Sequence, residues 1–301
     1  MSLEYFHVDV FSHTPYSGNS LPVFPDASGL NAEQMLRITR ELRHFEAIFL
    51  EPTDHANTVR ARVFDLFEEL PFAGHPILGA AAVLHSASAR TEPQVWHVEL
   101  PGKIVNITTE HTGHGYFSML DQGTPEFLDP VTERDLFARA FNLKPGDLHP
   151  DLPLEVVSTG LRYLIIPVKA GVLEHARILN DITEILRGVN AQFAVLLDEV
   201  ALEVRHWNND GLMEDVATGS AAGTVGAYRL RHGLTRGGEF FILNQGRFTG
   251  RPSILRVQPE GTPEAIQTVK VGGDVVLIGR GVLEVLPMGA LGEMELIARV
   301  Q

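Results

Sequence analysis

The sequence predicts an α+β protein of two similar domains, each a curled sheet around a buried helix, on three observations. One local design occurs twice, as ELPFAGHPILG at 69–79 and as EDVATGSAAG at 214–223. Short runs that alternate apolar and polar residues, the period of a half-buried strand, fill much of the remaining chain. The stretches that open at the repeated design are rich in small residues, and the first, Pro76–His85, has no polar face, as befits a helix running through the middle of a curled sheet.

Taken in order, Tyr5–Phe11 reads as a strand, and Gly18 with Asn19 as a turn that could equally present Asn19 to a ligand. Asn31–Leu42 has helical periodicity, with Asn31 as cap and Gln34 at the third position. Val59–Phe64 alternates like a strand, and Pro76–His85 reads as the first buried helix, with Pro in its first turn. Val95–Leu100, Lys103–Thr108 and Tyr116–Leu120 are strand-like; a loop follows around Gln122–Pro130, and Thr132 is placed to cap a helix with Asp135 at its third position. Leu154–Ser158 and Leu161–Val168 resume the strand pattern, Asp181–Arg187 reads as a short helix, and Phe193–Asp198 and Leu202–Trp207 as strands. Ser220–His232 is the second small-residue helix, stopped by Gly233. Glu239–Leu243, Ser253–Val257, Thr268–Val271, Val275–Ile278 and Met294–Val300 then alternate between Gly and Pro breaks. The expected domains are 1–118 and 119–301, with a C-terminal strand near 286–301 as a candidate to return to the first.

A chain of 301 residues, 44% hydrophobic and 21% charged, has the composition of an ordinary globular protein able to bury two cores. Its apolar runs are strand-sized, far below the ~20 residues of a spanning helix. A net charge of −14 argues against nucleic acid and anionic membranes as partners. The complete lack of Cys removes disulfides, thiolate metal sites and Cys-pair racemase chemistry, and suits a cytoplasmic location; no secretory leader pattern is read at the N-terminus.

In each copy of the repeat a Glu stands six residues ahead of a polar residue that follows Gly: Glu69 before His75 and Glu214 before Ser220. Each copy therefore feeds a helix start, where free N–H groups and the positive end of the dipole attract a carboxylate or phosphate. Gly74, Gly219 and Ser220 line these seats, and Thr218 adds a hydroxyl. Two seats suggest one small anion held by both halves.

Glu46 lies in HFEAIFLE; in a strand it shares a face with Ile48 and Leu50. Desolvation there lifts a carboxyl pKa towards neutrality, which suits a group that takes and returns a proton. The competing reading is a strand-end Glu reaching solvent. His75, between Gly74 and Pro76, is expected at the cap of the first buried helix, facing the seat; it is either a ligand-contacting or proton-shuttling group, or a structural cap. Asp215 and Glu214 precede the second seat and either hold a substrate amine or polarise His75, or else complement the helix dipole. His111 and His114 have ligand-like spacing but sit in a polar turn, so no metal is expected. The chain contains no GxxxxGK loop, no strand-linked GxGxxG and no GxSxG elbow.

Six segments in order, VDVFSHTPYSGNSLPVF, the Glu46 segment, VRARVFDLFEELPFAGHPILGAA, EDVATGSAAG, QGRFTGRPS and VKVGGDVVLIGRG, resemble the PhzF-like family of phenazine-biosynthesis isomerases. The resemblance spans nearly the whole chain. It implies the diaminopimelate-epimerase-like fold, two similar domains of curled, mixed, barrel-like sheet around a central helix, with the active site in the cleft between them. Residue by residue, it places the family's acid/base Glu on Glu46, its substrate-contacting His on His75 and its site Asp on Asp215, with Gly74, Gly219 and Ser220 on the ligand-cradling helix starts. The family member that names it moves a double bond in trans-2,3-dihydro-3-hydroxyanthranilate without metal or organic cofactor, and a homodimer is expected by the same analogy. This chain departs from the family in having Phe45 and Ala47 where Ser and Thr are usual, Ser20 where Pro follows Gly-Asn, and Val216 where Pro follows the site Asp.

The resulting expectation is a cofactor-independent isomerase of a small cyclic or amino carboxylate, with Glu46 carrying the proton and His75 and Asp215 orienting substrate and stabilising charge. Two alternatives stay open: an amino-acid epimerase or racemase with two opposed groups, and a small-metabolite binding or interaction module that kept the site and lost the chemistry.

Overall fold

The structure is a computed structural model and describes residues 2–288. The strand expected over Met294–Val300 lies outside the described residues, as does most of the 286–301 segment; residues 286–288 carry no strand. The chain divides into two compact units: one comprises the chain up to Tyr16, Ser20–Ser118 and the segment from Asp274 onward, the other Ser17–Asn19 and Met119–Gly273. Among the described residues no helix is long and apolar enough to cross a membrane.

The first unit contains β1 (Leu3–Val10), β2 (Asn19–Phe24), α1 (Ala32–Leu42), β3 (Glu46–Pro52), β4 (Thr58–Asp65), β5 (Glu69–Leu70), α2 (Gly74–Ser88), β6 (Gln94–Leu100), β7 (Lys103–Thr112) and β8 (Gly115–Asp121). Its strands follow the order β1-β2-β3-β4-β6-β7-β8 and continue into the last strand among the described residues, which pairs with β1 and closes the ring. The expected capping box is present: the Asn31 side chain accepts from Gln34 N–H and the Gln34 side chain accepts from Asn31 N–H. Met35 and Ile38 of α1 pack on Phe24, Ala47, Phe49 and Phe64, with Phe24 and Phe49 stacked at 4.5 Å. Ala47 and Phe49 thus face α1, and alternation turns Glu46, Ile48 and Leu50 to the opposite face. α2 is buried along nearly its whole length. Its approach depends on Gly79, where an added Cβ would lie 2.6 Å from the Leu21 side chain and 3.1 Å from Val8.

The second unit contains β9 (Glu126–Val131), α3 (Arg134–Ala140), β10 (Leu154–Ser158), β11 (Arg162–Val168), α4 (Thr183–Gly188), β12 (Phe193–Asp198), β13 (Glu203–His206), α5 (Gly219–Arg231), β14 (Phe241–Gln245), β15 (Ser253–Thr262) and the part of β16 (Ala265–Leu283) that precedes Asp274. The strand order β16-β15-β14-β13-β12-β11-β10-β9 mixes parallel pairs, β11–β12 and β13–β14, with antiparallel ones. One face carries a core of Val156, Leu164, Ile166, Ala194, Leu196 and Trp207 under Phe137, Ala138 and Leu186 of α3 and α4. The alternate residues, among them Tyr163, Ile165, Val195, Val204 and His206, face the other way, where α5 packs on β10, β11 and β15. The α+β class is therefore the one observed.

Three local expectations change. Thr132 does not cap α3: the cap position is Glu133, and the Thr132 hydroxyl bonds the Glu133 carboxylate instead. The segment expected as a loop around 122–130 contains β9, which its antiparallel pairing with β10 imposes from outside. Thr268–Val271 and Val275–Ile278 are one strand, β16, because ladders to β15 and β1 carry the backbone through Gly272 and Gly273.

Candidate active site

In the first unit, Glu46 opens β3 and His75 is the second residue of α2. The carboxylate Oε2 lies 3.5 Å from His75 Nδ1, and the two residues are 8% and 4% exposed. The helix cap is Ala73, not His75, since Gly74 is already helical. Ala73 has no side-chain oxygen to offer, and the first turn of α2 has no acidic residue. The N–H groups of Gly74 and His75 precede the first intrahelical bond, and Pro76 has none to satisfy. A carboxylate, an imidazole and the positive end of a helix dipole thus meet in one buried place, which is a setting for proton transfer beside bound negative charge.

In the second unit, Thr218 precedes α5 and makes no side-chain cap bond, and the first turn again has no acid. Asp215 is 5% exposed and held by three donors. Its Oδ1 accepts from Asn19 Nδ2 at 3.0 Å and from Ala217 N–H at 3.3 Å, and its Oδ2 from the Thr218 hydroxyl at 2.5 Å. Gln245 completes the ring: its Oε1 accepts from Thr218 N–H, and its Nε2 donates to Thr218 Oγ1 and to the Asp215 carbonyl. Asn19 opens a strand rather than a turn, and its amide nitrogen also bonds the Ala217 carbonyl at 3.0 Å. Gln122 Nε2 donates to the Gly219 carbonyl, and Ser220 Oγ lies 2.8 Å from the Tyr163 hydroxyl. Gly223 leaves room for this arrangement, since an added Cβ would strike Gln122.

The repeated Glu residues do not cap helices. Glu69 receives a two-pronged bond from Arg62 on β4, at 2.7 and 2.5 Å, and Glu214 receives the same from Arg205 on β13, at 2.8 and 2.6 Å. Arg205 also donates to the Leu173 and Ala176 carbonyls and has Trp207 and Phe248 within 4.4 and 4.1 Å. These arginines were not singled out in the sequence, because each lies on a strand several residues upstream and only the register brings it to the Glu. Tyr163, Gln122 and His206 left no signal either. Gln245 opens the QGRFTGRPS segment and could have been found there.

His111 lies on β7 with its ring 5.4 Å from that of Tyr116. Among the described residues, no group of three or more His, Asp or Glu is placed to hold a metal.

The model of the phenazine biosynthesis-like protein family, PhzC-PhzF, matches residues 8–281. A solved structure of a predicted epimerase from Pseudomonas aeruginosa is 47% identical, covers 94% of this chain and 99% of its own, and superposes with a TM-score of 0.89. The uncharacterized isomerase YddE of Escherichia coli O157:H7 is 32% identical over 92% of this chain and 97% of its own. The trans-2,3-dihydro-3-hydroxyanthranilate isomerase of Pseudomonas chlororaphis is 29% identical over 93% and 98%. With the match running from β1 almost to the end of β16 and through both helix starts, the chain belongs to the PhzC-PhzF family of phenazine biosynthesis-like proteins.

Proposed function

We propose that this protein is an acid/base isomerase that shifts a proton, and with it a double bond, within a small cyclic or amino carboxylate. One observation carries the reading: Glu46 and His75 lie 3.5 Å apart, both buried, at a helix start whose cap residue, Ala73, has no side-chain oxygen to offer. Glu46 lifts a proton from carbon beside an activating group and returns it further along the conjugated system. His75 hydrogen-bonds the substrate and steadies the charge that develops. Gly74 at the start of α2 offers an N–H group to a carboxylate, and Gly219 and Ser220 at the start of α5 form a second such seat within their own unit. Asp215 sets the shape and charge of the second seat through Asn19 and Thr218 rather than by moving a proton, since its oxygens are engaged by three donors.

The test uses the substrate for which the Pseudomonas chlororaphis relative is named. Wild type and Glu46→Gln are mixed with trans-2,3-dihydro-3-hydroxyanthranilate in deuterated buffer and followed by ultraviolet absorbance and NMR. Turnover by wild type, lost in the variant while binding persists, supports the reading; equal turnover by both proteins removes Glu46 from the chemistry. The relative described as a predicted epimerase favours a second reading, epimerisation. Deuterium entering the α position of an amino acid with loss of optical rotation selects it.

A further inference from the structure

The second unit buries an imidazole, on the strand bonded to the loop ahead of α5, that the proton-shift reading does not use. His206 lies on the α5-facing side of β13. Its ring meets that of Tyr163 edge-on at 5.5 Å and that of Phe193 at 5.7 Å. The Tyr163 hydroxyl reaches Ser220 Oγ at 2.8 Å, so a chain of contacts runs from the imidazole through the phenol to the first turn of α5. His206 is also tied to the loop ahead of α5, since its carbonyl accepts from Asp215 N–H at 2.9 Å.

The protonation state of this imidazole is set by its partners. His206 Nδ1 lies 2.8 Å from the Ala194 carbonyl, which can only accept, so Nδ1 carries the hydrogen. Burial lowers the basicity of the ring against the opposing pull of Asp215, and the neutral form with a bare Nε2 results. The first turn of α5 offers the opposite chemistry, its N–H groups being donors without a side-chain cap. Asp215, which the sequence suggests as a partner for a substrate amine, already accepts from Asn19, Ala217 and Thr218. A patch of donors with a neutral acceptor beside it complements a carboxylate that carries its own N–H or O–H donor nearby.

We propose that His206 is a specificity-determining residue, whose Nε2 accepts a hydrogen bond from an amino or hydroxyl group neighbouring the substrate carboxylate. This rests on reading the start of α5 as a carboxylate seat. It selects amino and hydroxy acids over plain carboxylates of the same shape.

Anthranilate and benzoate, which differ by one ortho amino group, separate the two ideas by calorimetry. Wild type is expected to bind anthranilate about 10-fold tighter, the worth of one net hydrogen bond. His206→Phe, which keeps a ring and removes the acceptor, is expected to bind both alike, and His206→Gln to restore part of the preference. Equal binding of both ligands by wild type, or a preference that survives in His206→Phe, overturns the role of His206 and leaves the carboxylate seat standing. Binding of neither ligand removes both. A readout on wild type avoids dependence on variant folding: the ¹⁵N resonance of Nε2, identified by its absence in His206→Gln, should shift with anthranilate and not with benzoate. A shift of the same size with both ligands overturns the proposal.

Discussion

The two helix starts share a scaffold and differ in what they expose. Each is reached by a loop whose Glu is gripped two-pronged by an Arg from a nearby strand, Arg62 to Glu69 and Arg205 to Glu214. Each opens on Gly-polar with no side-chain cap and no acid in its first turn. Beyond that they diverge. In the first unit the buried acid, Glu46, faces an imidazole at 3.5 Å; in the second, Asp215 is locked by an amide, a hydroxyl and a backbone N–H. The two acids thus differ in what surrounds them, three donors about Asp215 and an imidazole beside Glu46. The two copies share the mount, and in the first the buried acid faces an imidazole.

The largest effect expected is on that asymmetry itself. Glu46→Gln should lower kcat by ~10² to 10⁴ with KM nearly unchanged, whereas Asp215→Asn should act mainly on binding and stability. Steady-state kinetics on both variants decides it, and a comparable loss of kcat in each would erase the distinction. The shared mounts should break unequally. Arg205 and Glu214 are 9% and 13% exposed at their side chains, Arg62 and Glu69 25% and 30%. Glu214→Ala strands a buried guanidinium and should cost about 3–5 kcal/mol. Glu69→Ala leaves Arg62 in reach of water and should cost closer to about 1 kcal/mol. Urea unfolding measures both.

Asp215→Asn replaces one acceptor oxygen facing the Thr218 hydroxyl and should cost about 1–3 kcal/mol by the same assay.

The smallest effect concerns a histidine that each unit buries in its neutral form. His85 of α2 lies beside Thr109, which also receives the Trp96 N–H; burial lowers its pKa, as it does that of His206. The unfolded chain takes up protons at these groups near pH 6.5, and the folded chain only at lower pH. Their contribution is therefore complete above that range and is lost as pH falls through it, by at most about 1.4 kcal/mol per pH unit for each residue. His85→Gln and His206→Gln should each flatten the dependence of the urea midpoint between pH 7.5 and 5, and an unchanged slope would contradict it.

What could be read in advance was what local sequence dictates. The Asn31 box needs only residues 31 and 34, and the face shared by Glu46, Ile48 and Leu50 needs only alternation; both are present. The two buried helices appear where small residues place them, the first also by its missing polar face. What could not be read depends on distant partners. β9 exists through its ladder to β10, and β16 runs through two glycines because strands on either side hold it. The Arg–Glu grips need strand register, and the engagement of Asp215 by Asn19 joins residues 196 positions apart. His85 and His206 look like any other histidine until their neighbours are known.

The continuity of β16 bears on how the protein is made. Its residues before Asp274 serve the second unit, and those after it pair with β1, so Leu3–Val10 waits for Val275–Leu283. On the ribosome the first unit cannot close its ring until Val275–Leu283 has emerged, although most of its strands are synthesised first. Until then the free edge of β1 is open to the wrong strand, and closure over so long a loop is slow. The later-made unit can complete its own sheet sooner, which reverses the usual order in which the N-terminal domain finishes first.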